Sequence, residues 1–243
     1  MTEVDLDEGS GIATPPVGPE ATFLFADIAG FTALTEAHGD EQAAALVADF
    51  CKAVKAELPA FGGTHVKSIG DALMLRIPEP ADAVMLGLRI AGEVMPGHGA
   101  PAVRVGLHHG SYVERDGDFF GATVNLAARV SAQAVGSEVL LTGHTAALAP
   151  DITGVFYEPR GRQQLRNIRE PVELFAAVQT GQEMKGRMAI DPVCQMAVDP
   201  NHSAGRLMYG GTAFYFCTLG CASHFAREPE AYASRPRAGP SAR

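Results

Sequence analysis

The stretch Thr64-His-Val-Lys-Ser-Ile69-Gly-Asp71-Ala72-Leu-Met-Leu-Arg-Ile77 contains two short strand-like runs joined through Gly70-Asp71, the strongest local hairpin signal in the chain. Upstream, Thr22 to Ile28 is apolar and bounded by Pro19 and Gly30, which predicts a buried strand running into a tight turn with Asp27 at its end. Between them, Ala44, Val47, Phe50, Cys51, Val54 and Leu58 recur at helical spacing until Pro59 and Gly62-Gly63 stop the pattern, so Asp40 to Leu58 is expected to be an amphipathic helix.

Downstream the pattern predicts a helix over Pro80 to Met95, a long strand over Ala102 to Glu114 and a helix over Ala122 to Val135. Shorter strands are expected at Glu138 to Leu141, Val155 to Glu158 and Val172 to Val178. The early order of strand, helix, strand, strand, helix, strand suits an α+β, ferredoxin-like sheet with helices packed on one face. After Val178 the polar, glycine-bearing run Gln179-Thr-Gly-Gln-Glu-Met-Lys-Gly186 reads as a linker.

The 243 residues suffice for one large domain and a small one, and 47 % hydrophobic content supports a packed core. Net charge is −9, and the first twenty residues hold five acidic side chains and no basic ones, which argues against nucleic acid or anionic lipid as partner. That acidic, Pro/Gly-rich start has too little apolar surface to offset its ordering entropy and is expected to be disordered. It does not read as a signal peptide, and no run of apolar residues reaches membrane-spanning length, so a cytoplasmic protein is expected. Only four cysteines occur, in keeping with a reducing compartment, and Cys51 on its apolar stripe is most simply a core residue.

Four separated segments carry the chemistry: Phe23-Leu-Phe-Ala-Asp27-Ile-Ala-Gly-Phe-Thr32, Lys67-Ser-Ile-Gly-Asp71, Asp118-Phe-Phe-Gly121 and Asn125-Leu-Ala-Ala-Arg129. Each acid alone is an ordinary cap or turn residue, and each base alone an ordinary surface charge. In this order and spacing the segments resemble the catalytic domain of the class III adenylate/guanylate cyclases. The resemblance implies the cyclase version of the ferredoxin-like fold, with extra C-terminal strands.

Forming a cyclic nucleotide requires the ribose 3′-oxygen to attack the α-phosphorus while pyrophosphate leaves. Two divalent ions about 3.5 to 4 Å apart can stabilise the charge on both oxygens. The resemblance implies that Asp27 and Asp71, with the main-chain carbonyl of Ile28, hold two Mg²⁺ or Mn²⁺ ions per site. It implies that Lys67 and Asp118 read the base. A Lys donor and an Asp acceptor complement the N1 and N6 positions of adenine, so ATP is the expected substrate. Asn125 is expected to orient the ribose and Arg129 to stabilise phosphoryl charge, the two sharing a helix face four residues apart. In Leu165-Arg166-Asn-Ile-Arg169-Glu-Pro-Val172, Arg169 is favoured over Arg166 as a triphosphate contact. His108 and His109 are expected to be structural.

Family architecture implies a homodimer with two shared sites, Asp27 and Asp71 coming from one protomer and Lys67, Asp118, Asn125 and Arg129 from the other. The expected activity is that of a soluble adenylate cyclase making 3′,5′-cyclic AMP and pyrophosphate. A guanylate cyclase and a non-catalytic nucleotide-binding or dimerisation module are the alternatives. A diguanylate cyclase is disfavoured because the Gly-Gly-acid-Glu-Phe run is absent.

At the C-terminus, Asp191-Pro-Val-Cys194-Gln-Met196 and Phe214-Tyr-Phe-Cys217-Thr-Leu-Gly-Cys221, followed by Phe225 and Pro229, resemble a YHS domain, a small treble-clef-like module. Gln195 departs from the glycine usual there. Cys194, Cys217 and Cys221 could bind Zn²⁺ or another soft ion, with His224 or Asp191 completing a tetrahedron, and a module this small seldom folds on apolar burial alone. The module would be a metal or redox input to the cyclase. The expected layout is a tail over 1–20, a cyclase domain over 21–179, a linker over 180–188, a YHS domain over 189–234 and a second tail over 235–243.

Overall fold

A computed structural model describes residues 18–95, 100–180 and 189–233. The acidic tail up to residue 17, the linker beyond residue 180 and the tail over 235–243 lie outside the described residues. Glu20, assigned to the tail on sequence grounds, instead opens the first strand.

The larger unit is built on a seven-stranded sheet. Its elements in chain order are β1 (Glu20–Ile28), α1 (Phe31–His38), α2 (Asp40–Glu57), β2 (Thr64–Ile69), β3 (Ala72–Ile77), α3 (Pro80–Gly92) and β4 (Val103–Ser111). A short arm follows, β5 (Val113–Arg115) and β6 (Asp118–Phe120), then α4 (Ala122–Ser131), β7 (Val139–Thr142), α5 (Gly143–Leu148), β8 (Val155–Gln163) and β9 (Val172–Gln179). Strand order is β2-β3-β1-β4-β7-β9-β8, so the ferredoxin-like four-strand core is extended at one edge by β7, β9 and β8. β4 and β7 run parallel, while every other pair in this sheet is antiparallel.

Alternation along β1 divides the core. Leu24, Ala26 and Ile28 pack with Phe50 and Val54 of α2 and Leu86 and Ile90 of α3. Phe23 and Phe25 point the other way and pack with Ala127 of α4. Helices therefore cover both faces, contrary to the one-face expectation. The physical reason is that β1 is apolar on both sides, so each face needs a cover.

Two glycines bring α4 against the sheet. A Cβ built on Gly106 would lie 2.0 Å from the Ser131 backbone nitrogen, and one on Gly110 would lie 2.8 Å from Thr123 Oγ1. At Gly106 helix and strand backbones thus approach more closely than any side chain there permits, and at Gly110 the space is taken by the Thr123 side chain.

Several boundaries differ from the sequence expectation. The long strand over Ala102 to Glu114 is broken at Tyr112, whose N–H donates to Pro19 O at 3.1 Å while its ring packs edge-on against Phe23 and Phe119. The helix expected to reach Val135 stops at Ser131, because Gln133 and Ala134 tighten into turns on Val130 O and Ser131 O. α3 ends at Gly92 rather than Met95, and α1 and α5 were not anticipated.

The C-terminal module consists of two small hairpins, β10 (Ala189–Ile190) with β11 (Ala197–Val198) and β12 (Gly205–Tyr209) with β13 (Thr212–Phe216), followed by α6 (Leu219–Arg227) and α7 (Pro229–Ala233). Phe214, Phe216 and Phe225 form its core with Val193, Cys194 and Cys221, and Ala37 of α1 packs against that cluster.

Candidate active site

The register of β1 against β3 sets Asp27 opposite Ala72, which brings the preceding turn residue Asp71 to the Asp27 carboxylate. Burial, together with a hydrogen bond to Asp27 and its like charge, pushes the Asp71 carboxyl up to about 6. β4 places Arg104 opposite Asp27 on the other side, and Arg104 Nε donates to Asp27 Oδ2 at 2.7 Å. Arg104 was missed by sequence reasoning. The available signal was a lone arginine in the apolar run Val103-Arg-Val105. Ile28, the next residue along β1, is buried.

Lys67 and Asp118 meet each other. Lys67 lies just past an irregularity in the β2–β3 register, and its Nζ donates to both carboxylate oxygens of Asp118, at 2.8 and 2.6 Å. The hydrogen bond from Lys67 holds the Asp118 carboxyl below its usual range. Asp118 opens β6 after a two-residue turn in which Asp116 and Gly117 both have positive φ, 53° and 75°, as a type I′ hairpin requires. The Arg76 guanidinium braces this arm by lying over the Tyr112 and Phe119 rings.

α4 carries Asn125, exposed, and Arg129, half-buried. The Glu138 carboxylate accepts from Arg160 Nε at 2.9 Å. Among the described residues no ion pair joins Arg129 to an acid, and no hydrogen bond or ion pair links the Asp27–Asp71–Arg104 group to the Lys67–Asp118 pair. Arg166 and Arg169 both lie exposed in the connection between β8 and β9, where Asn167 adopts φ 62°. His108 Nδ1 hydrogen-bonds Thr142 Oγ1 at 2.8 Å, and His109 Nδ1 bonds Thr22 Oγ1 at 3.0 Å. Both serve the sheet interior.

In the C-terminal module the thiols of Cys194, Cys217 and Cys221 come together, with Cys194 and Cys217 3.3 Å apart and Cys217 and Cys221 3.8 Å apart. Hydrogen bonds from its two neighbours pull the Cys221 thiol down, while hydrogen bonds to Cys217 and Cys221 push Cys194 up. Neither residue expected to complete this group does so. Both Asp191 oxygens accept backbone N–H groups, from Val193 at 2.9 Å and Cys217 at 2.8 Å, and His224 is exposed on α6. The fourth donor is His38, the last residue of α1.

Residues 16–178 match the model of the adenylate and guanylate cyclase catalytic domain, and residues 189–236 match that of the YHS domain. A pH-sensitive adenylate cyclase of Mycobacterium tuberculosis is 34 % identical over 163 residues, which is 66 % of this chain and 41 % of that protein. An adenylate cyclase of Streptomyces griseus is 36 % identical over 121 residues, 49 % of this chain and 30 % of that protein. The chain thus spans less than half the length of these curated relatives. The adenylyl cyclase CyaB from P. aeruginosa shares the fold with a TM-score of 0.57 and 22 % identity, covering 68 % of this chain and 96 % of that one. The adenylate/guanylate cyclase/hydrolase from Silicibacter pomeroyi gives a TM-score of 0.58 at 25 % identity, covering 65 % and 96 %. With two thirds of its length matched in this way, the chain belongs to the family of class III adenylate and guanylate cyclase catalytic domains, and it carries a YHS domain behind that unit.

Proposed function

We propose that the chain is an adenylate cyclase that converts ATP to 3′,5′-cyclic AMP and pyrophosphate at two sites shared across a homodimer. The observation that supports this most is the contact between Asp27 and Asp71. Two carboxyl groups held together, one of them raised to about 6, form an oxygen-rich site whose one basic ion-pair partner among the described residues is Arg104. Such a donor set fits Mg²⁺ or Mn²⁺. Asp27, Asp71 and the Ile28 carbonyl would hold two such ions, whose chemistry when bound is charge stabilisation at the attacking and leaving oxygens.

The remaining roles fall to the chain's own groups. Lys67 donates to adenine N1 and Asp118 accepts from the N6 amino group, a pattern guanine cannot satisfy. Asn125 orients the ribose so that its 3′-oxygen lies in line with the α-phosphorus. Arg129 offers a planar, permanently charged fork to the phosphoryl oxygens as the new 3′ P–O bond forms and the α–β bridge breaks. Arg169 contacts the triphosphate.

Two features support the division of each site between protomers. The acid group and the base-reading pair are separate clusters within one chain. Exposed apolar side chains also border both: Ile69 beside Asp71 is 53 % exposed, and the cross-strand pair Val113 and Phe120 on the β5–β6 arm is 52 % and 50 % exposed. Four free cysteines agree with a reducing compartment such as the cytoplasm, and no helix among the described residues is long and apolar enough to cross a membrane.

The test is to incubate purified chain with ATP or GTP and Mg²⁺ or Mn²⁺ and identify the product. Cyclic AMP with pyrophosphate from ATP is expected. Cyclic GMP alone would overturn the base assignment, and no cyclic nucleotide with either cation, in a verified dimer, would overturn the proposal.

A further inference from the structure

His38 belongs to the cyclase unit, yet its Nε2 lies 3.8 Å from Cys217 Sγ. The donor atoms of His38, Cys194, Cys217 and Cys221 all lie within 4.8 Å of one another. Tetrahedral zinc with bonds of about 2.3 Å to sulfur and 2.0 Å to nitrogen has ligand-to-ligand edges of roughly 3.5 to 3.8 Å. The shorter contacts of 3.3, 3.8 and 3.8 Å already approach those edges. Three thiols and one imidazole are a complete donor set for a structural ion, with no position left over for substrate.

The surrounding structure presets this group. Asp191 ties the Cys194 loop to Cys217 through the two backbone N–H bonds on its carboxylate. Thr218 caps α6 by accepting from the Cys221 N–H at 3.1 Å, which places Cys221 in the first helical turn, where the helix dipole favours a thiolate. Cys194 and Cys221 are buried, and Cys217 and His38 are half-buried.

The module docks at the same end of the sheet as the acid pair. Ala197 N–H donates to Ala100 O at 2.8 Å, and Met196 bridges to Pro101. Gln195 adopts φ 64° and lays its side chain where a Cβ on Gly30 would be, 2.4 Å from Gln195 Cγ. Gly30 stands three residues beyond Asp27 and immediately before α1, the helix that ends in His38.

We infer that His38, Cys194, Cys217 and Cys221 form one interdomain site for a thiophilic divalent cation, Zn²⁺ by its donor set, which clamps the YHS module to the loop and helix following Asp27. His38 is the clamp's only ligand from the cyclase unit among the described residues. The site stands on its own donors and does not depend on the cyclase reaction proposed above.

The full chain, purified under reducing conditions and reconstituted with Zn²⁺, is expected to hold about one zinc per chain by elemental mass spectrometry. Replacement with Co²⁺ should give thiolate-to-cobalt charge transfer and the visible d–d bands of a tetrahedral centre. His38→Ala should weaken zinc at least about tenfold in competition with a chelator and alter the cobalt spectrum. His38→Cys should keep full occupancy with added charge-transfer intensity, and it carries the test if His38→Ala does not fold. A wild-type chain that binds no zinc, or His38 variants with unchanged affinity and cobalt spectrum, would overturn the inference. None of these readouts requires nucleotide turnover.

Discussion

Lys67 and Asp118, separated by fifty-one positions, are bound to each other through both carboxylate oxygens. An arriving purine must replace or share that contact, because the groups proposed to read its edge already satisfy one another. The pair is partly exposed and screened by solvent, so it contributes little to folding. The Lys67→Glu, Asp118→Cys double variant is therefore expected to melt close to wild type while losing roughly 10²-fold or more in kcat/KM for ATP. Some activity with GTP should appear in its place. Unchanged ATP turnover would remove the base-reading assignment.

The separation of the acid group from α4 leads to a mixing experiment. Asp27→Asn and Arg129→Ala chains should each be nearly inactive, since every site in either homodimer lacks one group. Random pairing of equal amounts makes half the dimers mixed, each with one intact site of two, so about a quarter of wild-type activity should return. Dimer formation has to be verified by sedimentation in the same samples. A mixture no more active than its components would rule out shared sites.

The acid pair was readable in advance because hairpin chemistry at Gly70-Asp71 and the strand end at Asp27 are local signals, and adjacency followed from one antiparallel pairing. Lys67 and Asp118 were legible as motif residues, but their mutual contact was not, since it depends on how the β5–β6 arm folds back. Arg104 escaped notice for a similar reason: its meaning lies in a cross-strand partner seventy-seven positions away. His38 was less legible still. It ends a short helix that periodicity did not reveal, and its thiol partners lie on another module. Long-range juxtaposition carries no period in the sequence, whereas β1's apolar residues on both faces did hold the clue that α4 would cover the second side.

Stability should depend on His108. Burial, with the nearby charges of His144 and His109, lowers its pKa to about 4 from the ordinary 6.5. The unfolded chain therefore takes up a proton first as pH falls. Its contribution to stability is fully present above 6.5 and is lost as pH drops toward 4, with a slope of at most about 1.4 kcal/mol per pH unit. His109, also lowered by burial, acts in the same direction. His108→Gln, which can keep a hydrogen bond to Thr142, is expected to flatten part of the slope in urea midpoints measured between pH 7 and pH 4.5. Parallel profiles for variant and wild type would exclude His108 as a source of the dependence.

Gly106 is the residue on which the position of Arg129 turns. A Cβ there would meet the Ser131 nitrogen at 2.0 Å and its Cα at 2.3 Å, and backbone atoms cannot swing aside as a side chain would. In Gly106→Ala, α4 must lift from β4, at a stability cost of about 1–3 kcal/mol for overpacking. Arg129 lies two residues before Ser131 and must move with the helix. A displacement of about 1 Å at a reacting group can lower turnover about 10²-fold, so kcat should fall well beyond what lost folding explains. Gly154→Ala supplies the contrast: its Cβ meets open space and its φ of 76° strains only the turn before β8, which carries none of the proposed site residues, so it should destabilise by roughly 1 kcal/mol without moving α4. Equal kcat losses in the two variants, at matched folded fractions, would show that the distance between helix and strand does not govern the site.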